Sequence, residues 1–206
     1  MNLDVDIVPI RDSIAGDKLL DPIEVGELCQ DQCCAYNIII WHLDEFWKGN
    51  DPLLLQMIIY GEGGTGKLKV IQTMSEAFIA RGQSELLIKT AYMGVMTSLI
   101  DGKMTHMIGG MSTYRRNSNM SAETKAKMRQ FWKHKFYIIL DEYLMIAKDF
   151  LVLLSRNILI VKEMDGHKNH SGSFGGINMI ICGNLHQFPP VAWPMLSALY
   201  YPSNVT

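Results

Sequence analysis

The stretch Gly61-Glu62-Gly63-Gly64-Thr65-Gly66-Lys67 constrains this chain more than any other. Glycines this dense suit a backbone that turns tightly and passes through conformations closed to other residues. Residues 53–60 before it form a short apolar run flanked by turn signals, which predicts a buried strand. Residues 67–80 after it carry Val70, Ile71, Met74, Ala77 and Phe78 on one side, which predicts a helix, and Gly82 stands where a C-cap glycine is expected. A strand, a glycine loop and a helix in that order fit the GxxxxGK phosphate loop. Its backbone N–H groups wrap an anion, the helix offers the positive end of its dipole, and Lys67 reaches the β- and γ-phosphates. One position departs from the pattern. The residue after the lysine should be Ser or Thr, whose hydroxyl binds Mg²⁺, and here it is Leu68. Triphosphate can still be held by the loop and Lys67, but the metal loses an inner ligand.

The remaining periodicity places this loop in an α/β chain. A helix is expected from Leu28, with Ala35, Ile38, Ile39, Leu43 and Phe46 on its apolar face, ending at Gly49-Asn50-Asp51-Pro52. Further strands are expected at 86–89, 136–140 and 177–182, and helices at 93–100, 122–134 (N-capped by Ser121) and 149–161. Segments 109–119 and 165–176 read as loops. Strands alternating with helices imply a parallel sheet. With 48% hydrophobic and 19% charged residues over 206 positions, the chain can bury a core and is not of the disordered class. A net charge of −2 excludes a wholesale basic surface, though not a local patch.

Cys29, Cys33 and Cys34 could be read as zinc ligands, but the spacing is not CxxC and no second pair follows, so reduced thiols on a helix are expected. No disulfide framework is implied, which suits an intracellular compartment. The first ten residues hold Asp4 and Asp6 and lack the features of a signal peptide, and no apolar stretch is long enough to span a membrane.

Downstream of the phosphate loop, the expected strand at 136–140 runs into Asp141-Glu142. In phosphate-loop NTPases an aspartate at such a strand end holds Mg²⁺. A neighbouring glutamate can take the proton of the attacking water. The next strand runs into Gly183-Asn184-Leu185-His186-Gln187, and its end is expected beside the acidic pair, where Gln187 could bond a γ-phosphate or orient water. An ordinary proline-rich exit loop is the alternative there. Between Tyr114 and Lys135 lie Arg115, Arg116, Lys125, Lys127, Arg129, Lys133 and Lys135, with Phe131 and Trp132 among them. They could meet nucleic-acid phosphates with an aromatic for stacking, or form a solvated helix face with both aromatics in the core.

Together, GEGGTGK at 61–67, IILDEYLMI at 138–146 and GNLHQFPPV at 183–191 resemble the superfamily 1 DNA helicases of the petite-integration-frequency type, including their relatives in rolling-circle transposons. Leu28 and Gln32 look like that family's adenine-reading motif. Lys89-Thr90-Ala91 and Thr105-His106 resemble the segment after its second strand. The resemblance implies a RecA-like fold, ATP and Mg²⁺ as cofactors, 5′-to-3′ unwinding of DNA, and roles in recombination, repair and telomere maintenance in the nucleus or mitochondrion. Carried over, Gln32 would contact adenine, residues 61–67 (Gly64, Gly66 and Lys67 above all) would hold phosphates, Asp141 would hold Mg²⁺, Glu142 would be the base and Gln187 would sense the γ-phosphate. Asn184 departs from the family's usual aspartate, as Leu68 departs from its hydroxyl. The expected organisation is an extension at 1–27 and a RecA-like ATP-binding domain at 28–206, with no second motor domain evident. An ATP-dependent helicase of low activity on its own is the leading expectation, and any single-stranded DNA binding should be weak and indifferent to sequence. A non-catalytic nucleotide- or DNA-binding remnant is the alternative. A small-molecule kinase is disfavoured, since no arginine-rich lid is evident.

Overall fold

The computed structural model of the chain describes residues 24–111, 120–163 and 173–184, together with Leu199. Five parallel strands form one sheet in the order β1-β5-β4-β2-β3. They are β1 (Gln56–Tyr60), β2 (Leu87–Ala91), β3 (Lys103–Met104), β4 (Tyr137–Asp141) and β5 (Asn178–Gly183). The helices are α1 (Gln30–Trp47), α2 (Lys67–Ala80), α3 (Gly94–Leu99), α4 (Thr105–Ile108), α5 (Ala122–Trp132) and α6 (Lys148–Glu163).

The apolar run of β4 is buried along its whole length because helices cover both faces of the sheet. Tyr137, Ile139, Ile180 and Cys182 pack with Ile39 and Leu43 of α1 and Val70, Ile71, Met74 and Phe78 of α2. Ile88, Ile138 and Met179 point the other way and pack with Met128 and Trp132 of α5 and Leu154, Ile158 and Val161 of α6. Alternation along β2, β4 and β5 therefore feeds two cores, one per face.

β1 departs from the expected buried strand. It starts at Gln56, pairs only with β5 among the described residues, and exposes Gln56, Ile58 and Tyr60 while half-burying Met57 and Ile59. An apolar run alone cannot tell a central strand from an edge strand covered on one face. α1 begins after Cys29 rather than at Leu28, and it buries Ile40 where Ile38 was expected, Ile38 being exposed. The expected capping of α5 is present, with Thr124 N–H donating to Ser121 Oγ at 3.1 Å. The short β3 and α4 carry too few residues for a period to show. They are held by Thr90 Oγ1, which donates to the Lys103 carbonyl at 2.7 Å and lies 3.0 Å from Thr105 Oγ1.

Buried polar groups tie distant parts of the chain together. Asn178 accepts from Leu55 N–H at 2.9 Å and donates to the Phe136 carbonyl at 3.1 Å, clamping the entries of β1 and β4 to β5. His42 lies with one ring nitrogen 2.8 Å from the Leu53 carbonyl and the other 2.8 Å from Tyr137 Oη. A carbonyl can only accept, so in the neutral ring Nε2 carries the proton and Nδ1 accepts from the tyrosine hydroxyl.

Tyr137→Phe keeps the ring contacts and leaves His42 Nδ1 without its donor. The expected cost is about 1–3 kcal/mol. At about 2–4 °C per kcal/mol for a chain of this size, a melting curve resolves it. Unchanged melting would mean that the pair is not formed in solution.

Candidate nucleotide site

The glycine loop joins β1 to α2 at the C-terminal edge of the sheet. It is fastened where it leaves β1, by Gly61 N–H donating to the Gly183 carbonyl of β5 at 3.2 Å. Thr65 closes the loop on itself, its Oγ1 donating to the Glu62 carbonyl at 2.8 Å. Gly66 has φ +79°, a conformation that favours glycine, and the Gln32 amide lies 2.7 Å from where a Cβ would stand. Lys67 folds back over the loop, its Nζ donating to the carbonyls of Gly61 at 2.6 Å and Glu62 at 2.8 Å. The ammonium is thus held at the loop, where a phosphate oxygen could replace either carbonyl.

Gln32 reaches the same loop from α1. Its Nε2 donates to the Thr65 carbonyl at 2.8 Å, and its Oε1 accepts from Cys29 N–H at 3.0 Å. The expected adenine contact and the phosphate loop are therefore neighbours, and the amide is engaged by the loop itself.

Asp141 ends β4, on the far side of β5 from the loop. It is only 3% exposed, and its Oδ1 accepts from Glu142 N–H at 2.9 Å. Burial pushes its carboxyl up to about 6, with the Glu142 charge adding to the rise, while the Glu142 amide and the Lys67 charge oppose it. Glu142 is buried in the left-handed region at φ 58°, ψ 36°. For a residue other than glycine that costs on the order of 1–3 kcal/mol and is typical of functional turns. Cys182, fully buried on β5, is pushed up by burial and then by the Asp141 charge, with Lys67 opposing. The lysine and the carboxylate thus act on one thiol between them. Gly183 gives the Tyr143 ring its room, since a Cβ there would lie 2.7 Å from the ring. The composition of the sequence marked none of Cys182, Tyr143 or the Glu142 backbone. Only the glycine after an apolar strand hinted at close packing.

β5 lies between β1 and β4, so Gly183 and Asn184 stand between the loop and the acidic pair, as expected. Gln187 lies outside the described residues, as do Arg115 and Arg116. Leu68 is half-buried and packs against the α1–α2 core. No group of three or more His, Cys, Asp or Glu is placed to hold a metal among the described residues. The phosphate loop thus supplies no metal-binding oxygen from its helix, and Asp141 is the carboxylate nearest to serving that role. This donor set does not fit a Mg²⁺ anchored by the protein. Cys29, Cys33, Cys34 and Cys182 are all free thiols.

The basic stretch divides. Lys127 is exposed and paired with Glu123 at 2.7 Å, and Lys125, Arg129 and Lys133 lie along or just beyond α5. Lys135 instead donates to the Glu85 carbonyl at 2.6 Å and is part of the sheet's support. Trp132 is not available for stacking: it is fully buried, donating Nε1–H to the Ile108 carbonyl at 3.0 Å. Phe131 is half-buried against the same core, with Lys103 Nζ 5.0 Å from its ring centroid.

The Asp141 shift has a pH consequence. Its folded-state value of about 6 exceeds the ordinary 3.8, so the folded state binds the proton more tightly. Stability from this group is present in full below pH 4 and is lost as pH rises through about 6. Asp141→Asn should therefore melt above the parent at pH 7.5 without added metal, by up to about 3 kcal/mol at 1.36 kcal/mol per unit. The gap should close near pH 4. Parallel melting of both proteins across the range would show that the carboxyl is not desolvated.

Comparison with known proteins bears on the whole arrangement. The PIF1-like helicase family model matches residues 28–195. The chain is 28% identical over 176 residues to the ATP-dependent DNA helicase PIF1 of Mus musculus, covering 84% of this chain and 24% of that protein. It is 24% identical over 135 residues to the ATP-dependent DNA helicase RRM3 of Saccharomyces cerevisiae, covering 64% of this chain and 18% of that one. The chain thus spans about a quarter or less of these curated relatives. Among solved structures, Pif1 helicase from Candida albicans superposes with a TM-score of 0.62 at 18% identity, covering 84% of this chain and 36% of that one. Bacteroides Pif1 bound to ssDNA gives 0.58 at 21% identity, covering 81% and 34%. Both carry the same fold of a parallel sheet flanked by helices. With the family match running through the loop, the acidic pair and the end of β5, the chain belongs to the PIF1-like helicase family.

Proposed function

We propose that this chain is the nucleotide-binding motor domain of an ATP-dependent DNA helicase that tracks 5′ to 3′ on single-stranded DNA. The observation that carries the reading is the placement of the glycine loop and the buried acidic pair at strand ends separated only by β5. In this reading residues 61–66 and Lys67 hold the triphosphate of ATP, Gln32 exchanges its loop contact for the adenine, and Glu142 accepts a proton from the attacking water. Asp141 would be the carboxylate offered to any Mg²⁺ carried by the nucleotide, and Gln187 would sense the γ-phosphate. Single-stranded DNA is the partner, held weakly through its backbone. Recombination, repair and telomere maintenance in the nucleus or mitochondrion are the corresponding roles. The names of the curated relatives and the ssDNA-bound structure of Bacteroides Pif1 support this assignment.

A second reading, a nucleotide-binding remnant without turnover, is favoured by one observation: Leu68 stands at the metal-hydroxyl position and packs into the core. The two readings separate on ATP turnover with and without single-stranded DNA. The chain alone should bind ATP and turn it over far below the roughly 1–100 s⁻¹ of phosphoryl-transfer enzymes, since an arginine supplied across a cleft is worth about 10³–10⁵ in rate. Supplying the rest of a helicase should restore turnover in the motor reading and leave it unchanged in the remnant reading.

Lys67→Ala should weaken binding of a fluorescent ATP analogue by about 1.5–3 kcal/mol, the worth of a hydrogen bond to a charged group. Unchanged affinity would place the nucleotide elsewhere. Reversing charge at Lys125, Lys127 and Arg129 together should weaken single-strand binding and flatten its salt dependence. A triple variant that binds like the parent would leave this face without a role in DNA binding.

A further inference from the structure

The two halves of this nucleotide site are unequally equipped. The anion-binding half is intact. The loop closes through Thr65 and Glu62, Gly64 and Gly66 hold the positive φ values that the turn requires, and Lys67 is already at the loop on two carbonyls. The metal-binding half is not. The side chain after Lys67 carries no oxygen, and it is held by packing against the core that α1 and α2 share with the sheet. The position therefore offers a half-buried apolar contact in place of a metal ligand. On the other side of the site, Asp141 already engages one oxygen with the Glu142 amide. Asn184, between the loop and the acidic pair, bears no charge where a carboxylate would have added a harder donor. Among the described residues no third acidic, histidine or cysteine side chain joins them. Mg²⁺ demands near-octahedral oxygen coordination and releases its waters reluctantly, so a lone carboxylate across the site gives it little reason to prefer the protein over solvent.

We infer that this site recognises the phosphates of a nucleoside triphosphate directly, with an affinity nearly independent of divalent cation, and that Leu68 is the residue that sets this independence. The inference rests on the nucleotide reading above and adds to it the form of the ligand. Free ATP and its Mg²⁺ complex bind alike, because what the loop offers an anion is its N–H groups, the start of α2 and the Lys67 ammonium, none of which ligates a metal. A hydroxyl at position 68 would supply an oxygen to a nucleotide-borne Mg²⁺ and make the metal part of the binding energy.

The experiment is a titration of a fluorescent ATP analogue into the parent chain, Leu68→Ser and Leu68→Ala, each with Mg²⁺ and with EDTA, alongside melting curves. The parent should bind within about threefold in the two conditions, the residue of metal contact left once the inner-sphere oxygen is gone. Leu68→Ser should bind at least about tenfold tighter with Mg²⁺ than with EDTA, the low end of what ligand-supporting groups contribute to metal affinity. Leu68→Ala should keep the parent's ratio, although it opens a comparable cavity and melts lower to a similar extent. A parent that loses tenfold or more on EDTA overturns the inference while leaving nucleotide binding standing. A serine variant that folds and keeps the parent's ratio overturns the role of Leu68. If both variants fail to fold, the parent's own ratio still decides. Absence of binding in both conditions overturns the nucleotide reading itself, and the inference with it.

Discussion

β5 is hydrogen-bonded on both edges, to β1 on one side and β4 on the other, and the site depends on that double pairing. A glycine loop at the end of β1 and two carboxylates at the end of β4 have no chemistry in common until one strand holds them a fixed distance apart. The pairing is secured at both ends. Asn178 clamps the strand entries with two side-chain bonds, and the Gly183 carbonyl takes the first N–H of the loop. Parallel strands put all their C-terminal ends on one edge of the sheet, so the loop, Gly183, Asn184 and Asp141 emerge together.

Around this frame the molecule concentrates unfavourable groups where the chemistry would lie. Asp141 is buried with its neighbour's charge close by, and Glu142 sits in a backbone region that favours glycine. The Lys67 charge opposes the effect of burial on both the carboxylate and the thiol, as the smallest of the influences on each. Such strain persists only where the surroundings over-determine it, and here the two cores on either face of the sheet do so. Leu68 adds to the α1–α2 core what the metal side of the site gives up. A core contact of this kind has no counterpart in a hydroxyl, so stability and metal coordination compete for one position.

α5 illustrates how a surface can mislead. Its string of cations with two adjacent aromatics reads as a nucleic-acid face, but the aromatics are the anchor of the helix and one of the lysines supports the sheet. Helical period decides this, because residues adjacent in sequence point about 100° apart and cannot all share the charged side. Among the described residues, Lys125, Lys127, Arg129 and Lys133 are what remains of the surface reading.

Much of this protein was legible in its residues. The phosphate loop, α2 from Lys67 to Ala80, the alternation of strands and helices, the Ser121 cap and the acidic pair at a strand end are all local patterns. Local sterics and hydrogen bonding enforce them: glycine permits the turn, serine caps the helix, and an apolar run buries itself. Other features were not legible, because they depend on what lies opposite. β1 is an edge strand among the described residues through strand order, which no segment encodes on its own. β3 is two residues long and rests on its pairing with β2 and on Thr90, whose hydroxyl meets the Lys103 carbonyl and Thr105. Gln32 was marked as a base-reading residue, yet only the packing of α1 against the loop brings its amide to Thr65. The sequence by itself determined that Leu68 has no oxygen for a metal. The tertiary structure decided that this side chain is half-buried against the core shared by α1 and α2, because burial of an apolar group is set by the helices and strands that close over it.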